Sequence, residues 1–470
     1  MVVPQARRTY CNNIGGVVMR VRRIMRAGAA VAALAFFGST AQAESLRDAL
    51  ASAYASNPNI AAALISVKTS AEDIAIRRSG KLPSISATAD YAYNWSVVGG
   101  SATDSQTFNI GLTYRQTLFD NLRTDAQVEQ ARAFTVVAAQ SLRNAEQNVL
   151  LSAANAYFNV MRDTQLVELR AENVTFFQAQ VKSAKDRLNI GEGTRIEVSQ
   201  AEARLASSVA AYRNGIASLQ VSQASYQRWV GHAPQNLSMG FDFSGALPNS
   251  LSQALSLADT QHPAILSALA QVRASQAGAE AARAAFGPTL DLIGTICAVQ
   301  CFGGPTTGMN GSIRLTLSIP LYSGGAMGAS LRQANLNQIK SELDALVARD
   351  QVRESVVSAW NGLENSNAQI TSAQSSVRAS EQVLAGVIEE RNVGQSTTLD
   401  VLDARSALTS VREQLISAQA SKLVSAFSLL SSVGRLSAVD LGLPVQIRSA
   451  QGYVESVEDV WADLRSLPLD

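Results

Sequence analysis

The 470-residue chain sets 39 basic against 38 acidic side chains, a formal net charge of +1, and holds three cysteines. It has no basic patch, which argues against nucleic acid as a partner. Beyond the N-terminal region no apolar run approaches the ~20 residues of a membrane helix.

Met1 to Met19 carries no pattern and reads as an extension upstream of the true start. Arg20, Arg22, Arg23 and Arg26 then precede an apolar run, Ala27 to Gly38, and Ala41-Gln42-Ala43 follows. A charged region, a short apolar region and an A-x-A end make a secretory signal peptide, assigned to residues 1–43. Cys11 lies ahead of the apolar run, so it is not a lipidated cysteine at the cleavage point. Removing the segment takes away six arginines and no acid, leaving 33 basic against 38 acidic residues, net −5. An exported chain without a membrane helix is periplasmic, secreted or a β-barrel.

Residues 44–248 form the first of two units. Leu46, Ala49, Leu50 and Ala53 recur at helical spacing, Asn57-Pro58 breaks the run, and a second helix continues to Arg78. A strand hairpin is predicted over 84–118. Ile85, Ala87, Ala89, Tyr91, Tyr93 and Trp95 alternate with polar residues, as do Phe108, Ile110, Leu112 and Tyr114. Strands of about ten residues with aromatics towards one end suit a membrane barrel, and equally a soluble, half-buried hairpin. The segment Ser96 to Thr107 reads as a Gly/Ser-rich loop. A long helix follows over 121–188, at 1.5 Å per residue ~100 Å of rod, too long for a compact domain. It ends in a turn at Gly191 and Gly193, and a return helix spans 194–230.

Residues 249–434 repeat this order after a loop-rich linker with Pro234, Gly240 and Gly245. The hairpin is placed at 289–321, the long helix at 326–391 and the return helix at 397–432. Leu363, Ile370, Val377 and Leu384 recur every seven residues, with Ala373, Ser380 and Val387 three further on, a coiled-coil seam. Gly303 to Gly308 lacks the G-K-[ST] of a phosphate loop and reads as surface. Residues 435–470 form an irregular tail, with a short helix expected over Glu455 to Leu467. The second tip, Arg391 to Arg405, reads RNVGQSTTLDVLDAR. Gly394 ends the long helix, Ser396 and Thr397 are N-cap candidates, and Asp400 sits in the first turn. Gly191, Glu197, Ala201 and Leu205 precede Gly394, Asp400, Ala404 and Leu408 by 203 residues each, and Tyr157 precedes Trp360 by the same distance. Upstream the offset is 205, as for Pro58/Pro263 and Pro83/Pro288. The chain is an internal duplication, and half of it is the unit of architecture.

Two copies of helix, hairpin, long helix, V-G-x5-D-V-x2-A tip and return helix resemble the TolC-type outer-membrane efflux and secretion channels. The resemblance runs from Glu44 to about Leu443. GQSTTLDVLDAR and the stretch SIPLYSGG, Ser318 to Gly325, are its most specific parts. It implies a mainly α fold with a membrane β-barrel: a homotrimer, four strands per chain closing a twelve-stranded barrel, above a long antiparallel helical barrel. It also implies outer-membrane lipid around the strands, a periplasmic adaptor (membrane fusion) protein and an inner-membrane transporter of ABC or RND type. The expected function is export of drugs or proteins through the outer membrane. A coiled-coil adaptor or a surface fibre is the alternative, although adaptors usually carry one hairpin and a small β domain.

The resemblance places the periplasmic gate at the tips. Asp400 and Asp403 match aspartates that ring the entrance, where carboxylates attract cations; Asp400 read by itself is a helix-end charge. Family members often have Arg where Ser396 stands, Tyr where Arg391 stands and Asp where Glu197 stands, which leaves Arg195 and Arg391 as cationic partners for the tip. Enzyme chemistry has no positive sign: G-x-S-x-G and H-E-x-x-H are absent, and His232 and His262 are isolated. No cofactor is expected. Cys297 and Cys301, spaced C-x3-C, read in an oxidising compartment as a loop disulfide, or otherwise as two buried thiols at a strand end.

Overall fold

The computed structural model describes residues 44–238, 244–302 and 307–458, which belong to one compact unit. The signal-peptide assignment, part of the linker, most of the 303–308 loop and residues 459–470 lie outside the described residues. α1 (Leu46–Ser56) opens on a capping box between Ser45 and Asp48. Asn57 ends it and caps α2 (Pro58–Arg78), whose first residue is a proline that needs no N–H partner there. β1 (Ser84–Val98) and β2 (Ser101–Phe119) lead into α3 (Arg123–Asn189) and α4 (Arg195–Val230). The second unit repeats this order as α5 (Leu251–Gln261), α6 (Pro263–Ala284), β3 (Thr289–Phe302), β4 (Thr307–Ser318), α7 (Ala326–Asn392) and α8 (Thr398–Val433). α3 and α7 each have 67 residues, and α4 and α8 each have 36. Among the described residues no helix is long and apolar enough to cross a membrane.

The four strands form one antiparallel sheet in the order β1-β2-β3-β4. Ile85 pairs with Tyr114, Leu112 with Ile296 and Leu292 with Leu315, which gathers the apolar residues on one face. Thr113 pairs with Thr295, Thr295 with Ser312 and Asp291 with Thr316 on the other. Among the described residues nothing covers the apolar face: Ile85 is 74% exposed and Ile313 87%.

Three strand limits differ from expectation. Ser96 to Thr107 is not a loop, because Gly99 and Gly100, at φ +62 and +86, make a two-residue hairpin turn and the strands zip up to it. β4 stops at Ser318 rather than 321, because Pro320 has no N–H for the ladder. β3 continues through Phe302 because β2 supplies partners that far; Cys297 faces Gly111 and Cys301 faces Thr107. Four residues of extended strand separate the two cysteine Cα atoms by ~13 Å, beyond the ~7 Å a disulfide can span. The loop disulfide is therefore wrong: Cys297 is a free, half-buried thiol, while the Cys301 side chain lies outside the described residues.

α3 begins abruptly. Asn121 and Leu122 both have positive φ, +55 and +65, where the second repeat has Gly324 and Gly325 at +61 and +84. Asn121 is held by its Nδ2 donating to the Ala284 carbonyl at 3.1 Å. The seam read from the sequence of α7 is where that helix meets α8: Leu363, Ile370, Val377 and Leu384 are its less exposed positions.

The main core sits at mid-helix. Leu50, Leu150, Ala153, Tyr157, Tyr226 and Phe427 are fully enclosed. The irregular tail has a definite role there. Leu436, Ala438, Leu441 and Leu443 close this core over the first repeat, and the Ala438 amide donates to Glu146 at 2.6 Å. Further on, the Arg448 amide donates to the Tyr54 hydroxyl at 2.9 Å. The terminal helix, α9 (Gln451–Glu458), begins earlier than expected and reaches Arg132 through Glu458 at 3.0 Å. Among the described residues the second repeat has no such cover, and its residues differ accordingly. Where the first has Tyr54 and Leu150, the second has Asp259 and Arg353, joined at 2.7 Å, with Arg349 on the same carboxylate. Those two guanidinium groups, Arg353 first, hold the Asp259 carboxyl down to about 2. His262 caps α6, its Nδ1 accepting from the Ala264 amide at 3.2 Å, the part that Asn57 plays for α2.

Candidate functional site at the helix tips

Both long helices end in the same way. Gly191 (φ +83) and Gly394 (φ +79) take the left-handed position, and the next residue closes back: Glu192 N to Arg187 O at 2.9 Å, Gln395 N to Glu390 O at 2.8 Å. Gly193 has a second reason to be glycine, since a Cβ there would lie 3.0 Å from the Leu188 nitrogen. Thr194 and Thr397 then start the return helices with capping boxes. Glu197 receives the Thr194 amide at 3.4 Å, and Asp400 receives the Thr397 amide at 2.8 Å. Asp400 Oδ2 also accepts from the Thr397 hydroxyl at 2.6 Å and the Ser396 hydroxyl at 3.0 Å. The Thr397 hydroxyl and amide, then Ser396, hold its carboxyl below the usual range, so it is ionised at neutral pH.

The two hairpins are tied together by contacts that no single-repeat pattern reveals. Asp403 on α8 pairs with Arg204 on α4 at 2.5 Å. Arg391 on α7 donates to Gln180 on α3 at 3.0 Å. Arg405 lies over the Phe176 ring, 4.9 Å from its centroid, and donates to Asn173 at 3.2 Å; the Thr409 hydroxyl reaches the same amide oxygen at 3.0 Å. Higher up, Arg170 pairs with Glu413 at 2.7 Å. Beneath these, Leu402 of the second tip is fully buried in a cluster of the first hairpin: Phe177, Val181, Ala184 and Ala201.

The expected cationic partners are therefore replaced. Arg195 is exposed at the start of α4 and has no ion pair among the described residues; Arg391 holds an amide; Arg204 meets Asp403. The sequence did carry a sign of this. At the 203-residue offset Glu202 corresponds to Arg405 and Arg204 to Ala407, so the charges of the two repeats differ just where their hairpins meet. Among the described residues no group of acids, histidines and cysteines could hold a metal ion.

The family model described as outer membrane efflux protein matches residues 49–232 and 254–435, one stretch in each unit of the chain. The chain is 35% identical over 434 residues to the outer membrane efflux protein BepC of Brucella suis biovar 1 (strain 1330), covering 91% of this chain and 94% of that protein. It is 25% identical over 427 residues to the outer membrane protein TolC of Escherichia coli (strain K12), covering 87% and 86%. Among solved structures, the CmeC outer membrane channel of Campylobacter jejuni superposes with a TM-score of 0.74 at 16% identity, over 88% of this chain and 89% of that one. With both repeats matched, the chain belongs to the outer membrane efflux protein family and is an outer-membrane protein.

Proposed function

We propose that three copies of this chain form one channel that carries small molecules or unfolded proteins out through the outer membrane. The observation that carries this is a four-stranded sheet with a bare apolar face and two open edges, β1 and β4. An open edge cannot lie in lipid, where each unpaired backbone group costs several kcal/mol, and about eight strands are the fewest that close. Three chains bring twelve strands, the number the family resemblance implies. Lipid then meets Ile85, Leu112, Ile296 and Ile313, and the threonine-rich face lines the lumen. A second support lies on α7, where Leu336, Ile339, Leu343 and Leu346 form an exposed stripe at heptad spacing with no partner among the described residues of one chain.

The long helices cross the periplasm to meet an adaptor and an inner-membrane ABC or RND transporter, which drive transport. The tips form the gate. Three Asp400 carboxylates, kept ionised by their caps, attract cations at the entrance, whereas Asp403 arrives with Arg204 on it and acts as a tie between hairpins. Opening requires that tie and the Arg391–Gln180 bond to part. Light scattering of the purified protein in detergent should give a trimer; a monodisperse monomer with its β signal intact would refute the proposal.

A further inference from the structure

The first described residue, Glu44, is more tightly held than a chain terminus needs to be. Its nitrogen faces two carbonyls, Asn236 O at 3.1 Å and Gln235 O at 3.3 Å. Asn236, at φ +42, makes the left-handed turn in this loop, a conformation asparagine tolerates better than most residues. Glu44 also bridges Leu237 in parallel, with the Ser238 amide donating to its carbonyl at 3.0 Å. The Tyr157 hydroxyl lies between that same carbonyl, at 2.9 Å, and the Ser238 carbonyl, at 2.5 Å, and shares its one hydrogen between them. The Glu44 side chain is 10% exposed, takes the Tyr226 hydroxyl at 2.6 Å and the Gln235 amide at 3.3 Å, and lies 3.4 Å from His232 Nε2. Burial pushes both phenols up, Tyr157 to about 12, so they remain donors at any physiological pH.

A peptide nitrogen has one hydrogen for those two carbonyls, whereas a free ammonium has enough for both and a charge that strengthens each bond. We propose that the Gln235–Ser238 loop is a preformed socket for the α-ammonium of Glu44, released when the chain is cut after Ala43. The inference rests on reading residues 1–43 as a signal peptide, and it is independent of channel assembly. In the cut, a peptidase of the export machinery adds water across the Ala43–Glu44 bond: the hydroxyl goes to the Ala43 carbonyl carbon and the proton to the departing nitrogen. The Glu44 and Asp48 carboxylates offset the new positive charge beside the N-terminus of α1. Processing thus adds a charged contact to the mid-helix core rather than merely freeing the chain.

Intact mass of the purified wild-type protein should place its first residue at Glu44. An amine-selective acylating reagent near neutral pH should then label that α-amine at least ten-fold more slowly in the folded protein than in the denatured one. A variant with one serine inserted between Ala43 and Glu44 should label at the denatured rate and melt at a lower temperature. A different first residue, equal folded and denatured rates in the wild type, or slow labelling in the insertion variant would each overturn the proposal. The wild-type rates decide even if the insertion variant does not fold.

Discussion

Gly434→Ala and Gly394→Ala place the same methyl group at the same backbone conformation with different surroundings. Gly434 ends α8 at φ +85, and a Cβ there would lie 2.8 Å from the His262 Cα and 3.1 Å from both the His262 nitrogen and the Gln261 oxygen. All three are backbone atoms at the α5–α6 junction, so nothing can swing aside. Gly394, at φ +79, would meet nothing within 4 Å. Both substitutions incur the left-handed cost of ~1–2 kcal/mol, partly offset by ~0.4–1 kcal/mol of entropy lost from the unfolded chain. Gly434→Ala adds the strain of overpacking, ~1–3 kcal/mol. The expected destabilisation is thus about 1 kcal/mol at the tip and ~2–4 kcal/mol at the core. Thermal unfolding in one detergent at fixed protein concentration reads this as two apparent Tm shifts, at ~2 °C or less per kcal/mol for a chain of this size. Equal shifts would show that the contacts around Gly434 do not govern its cost.

Leu122→Gly should raise the Tm, since it gives the first repeat the glycine that the second uses at the same left-handed position, recovering up to ~1–2 kcal/mol; a lower Tm would mean the exposed leucine packs against another copy. The mature protein, denatured without reductant, should take up two equivalents of maleimide, at Cys297 and Cys301, and uptake of none would restore the disulfide. In planar-bilayer recordings, Asp400→Ala with Asp403→Ala should weaken block by divalent or trivalent cations, and Arg204→Ala, which frees Asp403, should strengthen it; unchanged block in both leaves the gate assignment without support. Burial holds His262 below the usual imidazole range, so the folded state takes up its proton less readily than the unfolded one. Its contribution is intact above the ordinary pKa of ~6.5 and is lost progressively as pH falls from there through the lower value of the folded state. His262→Asn, the cap used at residue 57, should therefore lose less Tm than wild type between about pH 7.5 and 5.5, and parallel curves would refute this.

Local signals were legible where the chemistry is local. Pro58, Gly191, Thr194, Gly394 and Thr397 set helix ends to within two residues, because a cap or a left-handed glycine acts on its own turn. The apolar alternation of β1 fixed which face is bare. What depends on a neighbour was not legible. β3 runs past Cys297 because β2 offers partners, which its own composition does not announce. Arg204 finds Asp403 through the packing of one hairpin on the other. The tail residues Leu436, Ala438 and Leu441 lack a helical or strand period because they follow the surface of the first repeat rather than an axis of their own.

Because residues 436–448 complete the core around α1 and α3, the first repeat to be synthesised is the last to be finished. Tyr54 waits for Arg448, 394 residues away. Closing a span of that length is slow more than it is costly, since loop entropy grows only logarithmically while distant contacts form late. The second repeat, with Asp259 held by Arg349 and Arg353 close in sequence, can settle without the tail. A chain cut after Gly434 should expose Leu50 and Leu150 and bind an apolar dye that the full chain excludes; equal binding would refute this order. A prematurely ended chain then never hides its apolar middle, and only a chain exported to its end can become inert enough to survive in the periplasm.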